Sequence, residues 1–168
     1  MAAEDVPTPP LKRHEALQPL SREHMGGLIQ ARNLVRAARG EQLDRLRAVQ
    51  AFLAAWRADI SDHFDDEERM LLPLCGRESG QRLLTEHRVL RTLAGECEAT
   101  PDAAAANAGL LGRIGELLHD HIRWEERVLF PAIQDEHPDA LASLLDQAGS
   151  IHARRPGSRP RNGPNDRG

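Results

Sequence analysis

The segment His63-Phe64-Asp65-Asp66-Glu67-Glu68-Arg69-Met70-Leu71-Leu72-Pro73 recurs as His121-Ile122-Arg123-Trp124-Glu125-Glu126-Arg127-Val128-Leu129-Phe130-Pro131, with six of eleven positions identical. Both copies keep a His followed four residues later by a Glu. On a helix such residues lie about 40° apart, so each copy presents one imidazole and one carboxylate to the same spot. A Glu-His doublet precedes each copy: His24 of Glu23-His24 lies 39 residues before His63, and His87 of Glu86-His87 lies 34 before His121. Four His and two Glu in a duplicated unit form a ligand set for two metal ions.

The apolar residues around these groups set the fold. Leu46, Val49, Leu53, Trp56, Ile60, His63, Glu67, Met70 and Leu74 follow one another at steps of three and four, an unbroken stripe along one helix face. Leu110, Ile114, Leu117, His121, Glu125 and Val128 repeat it. Leu83, His87, Leu90 and Ala94 share a third face, and Leu20, His24, Leu28, Ala31 and Val35 a fourth. Period-two alternation is absent and β-branched residues are few, so strands are not expected.

Helix signals divide the chain accordingly. Ser21 is an N-cap for a first helix to about Arg39, where Gly40 stops it. A long second helix runs from roughly Glu41 to Leu72, and a third from near Ser79 to Glu98. Thr100-Pro101 opens a fourth to about Phe130, where Pro131 kinks or ends it. Pro138 begins a short fifth that stops at Gly149. The expected class is all-α: an up-down-up-down four-helix bundle with a short C-terminal fifth helix. It spans residues 19–149, after a flexible N-terminal segment 1–18 and before a disordered basic tail 150–168. In an antiparallel bundle, His24 and His87 near the starts of their helices meet His63 and His121 late in theirs, near one end.

Composition excludes several functions. At 168 residues the chain is one domain. Its longest apolar run, Ala51 to Trp56, cannot span a membrane. The acidic start lacks an apolar run, so no secretory signal is expected and the compartment is read as cytoplasm. Cys75 and Cys97 lack CxxC spacing and are read as free thiols. Residues 153–168 carry five Arg and one Asp, leaving 17 basic and 25 acidic side chains in residues 1–152. So acidic a body is a poor nucleic-acid binder.

Burying a carboxylate costs several kcal/mol unless it is paired or bound to a cation. Glu67 and Glu125, both placed in apolar stripes, therefore ask for metal. The competing reading is a buried His–Glu hydrogen-bond network that only specifies the bundle. Glu68 and Glu126 are placed at the edge of the site or paired with Arg69 and Arg127. Glu23 and Glu86 sit about 100° from the ligands and are read as outer or surface groups. His119 faces away from His121, while His14, His137 and His152 fall in loops or tails. Imidazole with carboxylate suits iron, manganese or zinc, and a two-metal site inside helices suits iron best. The chain contains no Tyr, which excludes a tyrosyl-radical mechanism.

Leu20-Ser21-Arg22-Glu23-His24, the HxxxE of His63 and Glu67, Thr85-Glu86-His87, and the run from His121 through Glu125-Glu126 to Pro131 resemble the hemerythrin-like, or HHE cation-binding, family over roughly residues 14–134. The resemblance implies a non-haem di-iron centre in a four-helix bundle, with an oxo or hydroxo group and two carboxylates bridging the irons. His24 and His63 would serve one iron, His87 and His121 the other, with Glu67 and Glu125 as bridges. Oxygen-carrying hemerythrins place a second His four residues after the third-helix His. Here that position is Arg91, which cannot ligate, and the fourth helix offers both Glu125 and Glu126. A lost ligand leaves an open position and favours redox chemistry or sensing over O₂ storage.

The expected function is binding of, or reaction with, a small oxidant: O₂, peroxide or nitric oxide. No side-chain nucleophile or acid–base pair stands apart from the metal ligands. The alternatives are an iron or redox sensor acting through a protein partner, and a di-iron repair or stress-defence protein. The latter resembles this chain plus an N-terminal cysteine-bearing module, and residues 1–18 contain no Cys.

Overall fold

A computed structural model describes residues 12–155, which are almost wholly helical and contain no strand. After a 3₁₀ turn at Glu15–Leu17, α1 spans Gln18–Ala37. Helices α2 (Gln42–Ala55) and α3 (Ser61–Met70) are joined without interruption by a π turn, Trp56–Ile60. Helix α4 spans Arg77–Ala99, α5 Pro101–Ala106 and α6 Ala108–Trp124. A second π turn, Glu125–Leu129, leads into α7 (Phe130–Glu136), followed by α8 (Pro138–Ser143) and α9 (Leu145–Arg154). Helix α1 packs chiefly on α6 and α2, and α4 touches α3, α5 and α6. No helix among the described residues is long and apolar enough to cross a membrane.

Two glycines let α1 and α6 approach closely. A Cβ on Gly115 would stand 2.6 Å from the Ala31 carbonyl oxygen, and one on Gly27 would stand 2.7 Å from Ile122 Cδ1. Against backbone no side chain can yield, so Gly115 fixes the distance between these helices.

The structure corrects the expected helices in four places. Helix α1 starts at Gln18 with Pro19 in its first turn, not at Ser21, and Ala16 and Leu17 before it are fully buried. Within the segment expected to be flexible, residues 12–18 are therefore ordered, while residues 1–11 lie outside the described part. The fourth helix is broken at Asn107, whose side chain accepts a hydrogen bond from Leu110 N at 3.0 Å and caps α6. Pro131 does not end the helix; the π turn before it carries the chain into α7. That turn inserts one residue into the helical repeat, so Val128, expected inside, is exposed and Leu129 is buried instead. Finally, the last helix runs past Gly149 to Arg154, because Ala148 and Ile151 pack into the core. Residues 150–155 thus belong to the folded body; the remaining tail, 156–168, lies outside the described residues.

The core has two apolar clusters. One gathers Ala31, Leu34, Phe52, Leu53, Ile60, Phe64, Leu90, Leu118 and Ile122 with their neighbours. The other joins Leu20, Met70, Leu83, Trp124, Leu129 and Phe130 to Ile133, Leu141 and Ile151. On each main helix the His or Glu positions fall between residues of the two clusters. The polar groups therefore form a buried band between them, and α7 to α9 pack at the end near which these groups were expected to meet.

Candidate metal centre

His24 enters the band from α1, His63 and Glu67 from α3, His87 from α4, His121 from α6, and Glu125 from the first residue of the π turn. All six are at most 6 % exposed. One ligating atom from each of His24, His63, Glu67 and Glu125 lies within 4.8 Å of the others, and the same holds for Glu67, His87, His121 and Glu125. The two clusters share both carboxylates. This is the pairing implied by the resemblance, and Glu125 rather than Glu126 faces inward.

The four imidazoles point the same way. His24 Nε2 stands 3.2 Å from Glu125 Oε2, His63 Nε2 2.9 Å from Glu67 Oε1, His87 Nε2 3.3 Å from Glu67 Oε2, and His121 Nε2 3.2 Å from Glu125 Oε1. His87 and His121 Nε2 approach to 3.1 Å. Two nitrogen lone pairs at that distance repel unless a proton or a cation lies near them.

Each opposite nitrogen, Nδ1, meets a carboxylate from another helix. His24 pairs with Glu126 at 2.6 Å, His63 with Glu23 at 2.7 Å, His87 with Glu68 at 2.8 Å and His121 with Glu86 at 2.8 Å. A neutral imidazole donating from Nδ1 keeps its Nε2 lone pair turned to the centre. The duplication is thus complete one layer out: the Glu before each upstream His holds the downstream His of its own half, and the Glu at i+5 holds the upstream His of the other half.

A third layer consists of arginines. Arg13 pairs with Glu126 at 2.6 Å, Arg82 with Glu86 at 2.7 Å, Arg91 with Glu68 at 2.6 Å, and Arg155 with Glu23 at 2.6 Å. Glu68 and Glu126 therefore do not pair with Arg69 and Arg127; Arg69 meets Asp66 instead. Arg91 also binds Asp65 at 2.7 Å and stays outside the ligand cluster.

Sequence reasoning missed Arg13, Ser21, Asp66 and Arg155, whose partners lie far away along the chain. The one available signal was the copy itself: Asp66 stands where the repeat has Trp124. Among the remaining histidines, His14 caps the first turn through Ala16 N, and His119 is exposed beside Asp120. His152 lies in α9, its side chain outside the described residues. Cys75 and Cys97 are free thiols.

Charge and burial oppose each other throughout the centre. Burial works against protonation of His63, but Glu67 and Glu23 raise it to about 9. His24 rises well above the ordinary histidine range against the same penalty, through the neighbouring carboxylates of Glu125, Glu126 and Glu67. Burial pushes Glu67 up, yet the charge of His63 and the bonds from the surrounding imidazoles hold it well below its usual value. Glu126 is likewise brought down to about 2 by His24, Ser21 and Arg13.

The fit of these residues to cations rests on His63 Nε2, Glu67 Oε2 and both Glu125 oxygens, which are buried within ion-pair distance of their neighbours yet make no well-formed hydrogen bond. Unpaired carboxylate oxygens in a dry interior are costly. A divalent ion on each side of the shared carboxylates would satisfy all four atoms with nitrogen and oxygen donors of the right type.

The two halves differ in access. A cavity of about 750 Å³ reaches His24 and His63 between α1 and the π turn of residues 56–60, walled by Met25, Ile29, Ile60 and Ile122. Phe64 also lines it and stacks flat on His87, with ring centroids 3.9 Å apart and planes 3° apart. The His87–His121 side is therefore shut off from this cavity.

An all-helical protein with a buried, duplicated His/Glu cluster is the class that fold and site define. Residues 80–153 match the family model of the hemerythrin HHE cation binding domain, in agreement with the resemblance carried by the motifs. No curated protein and no solved structure matches the chain. Family match and cluster together point to a metal-binding protein.

Proposed function

We propose that this chain is a cytoplasmic non-haem di-iron protein that binds or reacts with a small oxidant. Its helices are read as an up-down-up-down four-helix bundle, a reading supported by the packing of α1 on α2 and α6 and of α4 on α3 and α6. The observation carrying the function is the pair of buried four-residue clusters that share Glu67 and Glu125, with orphaned oxygens facing the shared space.

His24 and His63 would hold one iron and His87 and His121 the other, with Glu67 and Glu125 between them. Bound iron would supply a one-electron couple and coordination of O₂, peroxide or nitric oxide. The chain's own residues orient and shield. Glu23, Glu68, Glu86 and Glu126 fix the imidazole rings by accepting hydrogen bonds from Nδ1. The two apolar clusters exclude water, and the cavity beside His24 and His63 admits the ligand to that half.

Loading the protein with Fe(II) without air, then recording optical spectra after adding O₂, peroxide or nitric oxide separately, tests this reading. A new absorption band with one of the three supports it, and no response to any of them refutes the oxidant role. Retention of manganese or zinc in place of iron, seen by elemental analysis of protein expressed with all three metals, refutes the choice of iron.

A second reading, an iron or redox sensor acting through a protein partner, draws support from Arg155. This residue directly precedes the basic tail and contacts the outer carboxylate of His63.

A further inference from the structure

Glu23, the carboxylate that holds His63, is gripped from the far end of the chain. Arg155 Nε donates to Glu23 Oε1 at 2.6 Å and Nη2 to Glu23 Oε2 at 3.0 Å, and Nη2 also stands 2.5 Å from Asp66 Oδ2. Arg155, Glu23 and Asp66 have side chains exposed by only 5, 4 and 2 %. The arginines behind the other three outer carboxylates are exposed by 21 to 46 %. Asp66 directly precedes Glu67 on α3, so the guanidinium joins the outer group of one proposed ligand to the neighbour of another. A planar fork fits two carboxylates as no ammonium does, and it stays charged at every accessible pH.

We propose that Arg155 is a positioning residue for the His24–His63 half of the centre, and that docking of the last helix and cation binding at that half strengthen each other. The proposal rests on the two-cation reading above. Without Arg155, Glu23 loses both of its guanidinium bonds while Asp66 keeps Arg69 and Arg154, so nothing holds the Glu23 carboxylate against His63 Nδ1 and it turns away. His63 then loses the acceptor that orients it. Loss of such an outer partner weakens metal binding about 10- to 100-fold. Among the described residues the His87–His121 half has no such connection to the C-terminal helix: Glu86 is held by Arg82, four residues earlier on the same helix, at the surface. Because coupling is reciprocal, a cation at the first half must also hold α9 against the body.

Anaerobic Fe(II) titration of the full chain tests this in two backgrounds. His121→Ala leaves only the first half intact and His63→Ala only the second. Arg155→Ala should weaken the remaining ion about 10- to 100-fold in the first background and leave it within about threefold in the second. Arg155→Lys, which keeps the charge without the fork, should fall between wild type and Ala and serves if the Ala variant does not fold. In the wild-type chain, tryptic cleavage after Arg154, followed by mass spectrometry, should be slower with Fe(II) bound than after chelation. Equal weakening in both backgrounds, no weakening in either, or cleavage indifferent to metal overturns the proposal. Wild-type protein that takes up no iron refutes the two-cation reading itself. Wild type binding two ions with Arg155→Ala unchanged refutes this inference alone.

Discussion

The two halves of the centre carry the same donors behind different walls. His24 and His63 look onto a cavity of about 750 Å³, whereas His87 lies flat beneath Phe64. The difference arises where the two copies of the repeat disagree. Phe64 corresponds to Ile122, so in one half a ring stands between His87 and the cavity, while in the other an aliphatic chain lies at the cavity wall. The ring stacked on His24, Phe130, is outside the cavity lining. Asp66 corresponds to Trp124, so one position binds Arg155 while the other packs under Arg82, whose guanidinium lies 4.4 Å from the ring centroid. Positions the copies share supply donors and their outer carboxylates. Positions they do not share decide access and attachment.

The largest effect should come from breaking what the halves have in common. Glu67 belongs to both clusters, so Glu67→Leu should abolish binding of both ions, whereas His63→Ala should remove one and spare the other, as elemental analysis would show. Glu67→Leu should nevertheless fold at least as stably as metal-free wild type, since it removes a buried carboxylate with unpaired oxygen. If Glu67→Leu keeps one ion, the halves do not share that ligand.

Phe64→Ala should open the closed half at a cost in stability of about 3–5 kcal/mol, the usual range for emptying a buried aromatic site, measured by denaturant unfolding. Azide, used as a probe anion, should enter wild type in two phases, one per half, and in Phe64→Ala the two phases should merge. Unchanged kinetics would mean that Phe64 is not the barrier.

The pH response should separate metal-free from loaded protein. The folded value of His63, about 9, lies above its unfolded value, so its contribution to stability is complete below about 6.5 and is lost as pH rises through 9. Metal-free protein should therefore melt at lower temperature at pH 9.5 than at pH 6.5. Ligation needs imidazole without its Nε2 proton, so iron affinity should rise over the same interval. Glu126 works at the other extreme: its stabilisation is present above its ordinary value and vanishes as pH falls through about 2. A melting temperature of chelated protein that does not fall between pH 6.5 and 9.5 would remove His63 from the charged network.

Smallest is the effect of Gly26, which lines the cavity and where a Cβ would meet nothing within 4 Å beyond its own stretch of helix. Gly26→Leu should slow azide entry to the open half severalfold without changing metal content. It should also stabilise the exposed helix by about 0.5–1 kcal/mol, the helical penalty of glycine. Faster or unaltered entry would place the route elsewhere.

Much of this was legible before the structure. The duplicated HxxxE, its upstream doublets and the apolar stripes were enough to name the six inward groups, because i and i+4 positions share a face whatever the tertiary context. Helical class followed from the same periodicity. What escaped depends on contacts between distant residues or on departures from the 3.6-residue repeat. The π turn at Glu125–Leu129 exchanged Val128 for Leu129, and no propensity signals an inserted residue. Asn107 had the chemistry of a cap, yet Ala and Leu on either side read as continuous helix. Glu68 and Glu126 were expected either at the edge of the site or paired with Arg69 and Arg127, whereas each reaches a histidine on another helix and a more distant arginine. Arg155 lies 132 residues from Glu23, in a stretch whose Pro, Gly and Arg content resembles a solvated tail.

The most direct test of the two-cation centre is the iron content of full-length protein titrated anaerobically with Fe(II) and freed of excess metal. Two ions per chain, falling to one in both His63→Ala and His121→Ala and to none in Glu67→Leu, is the expected result. A single ion in wild type that survives Glu67→Leu, or none at all, would contradict it.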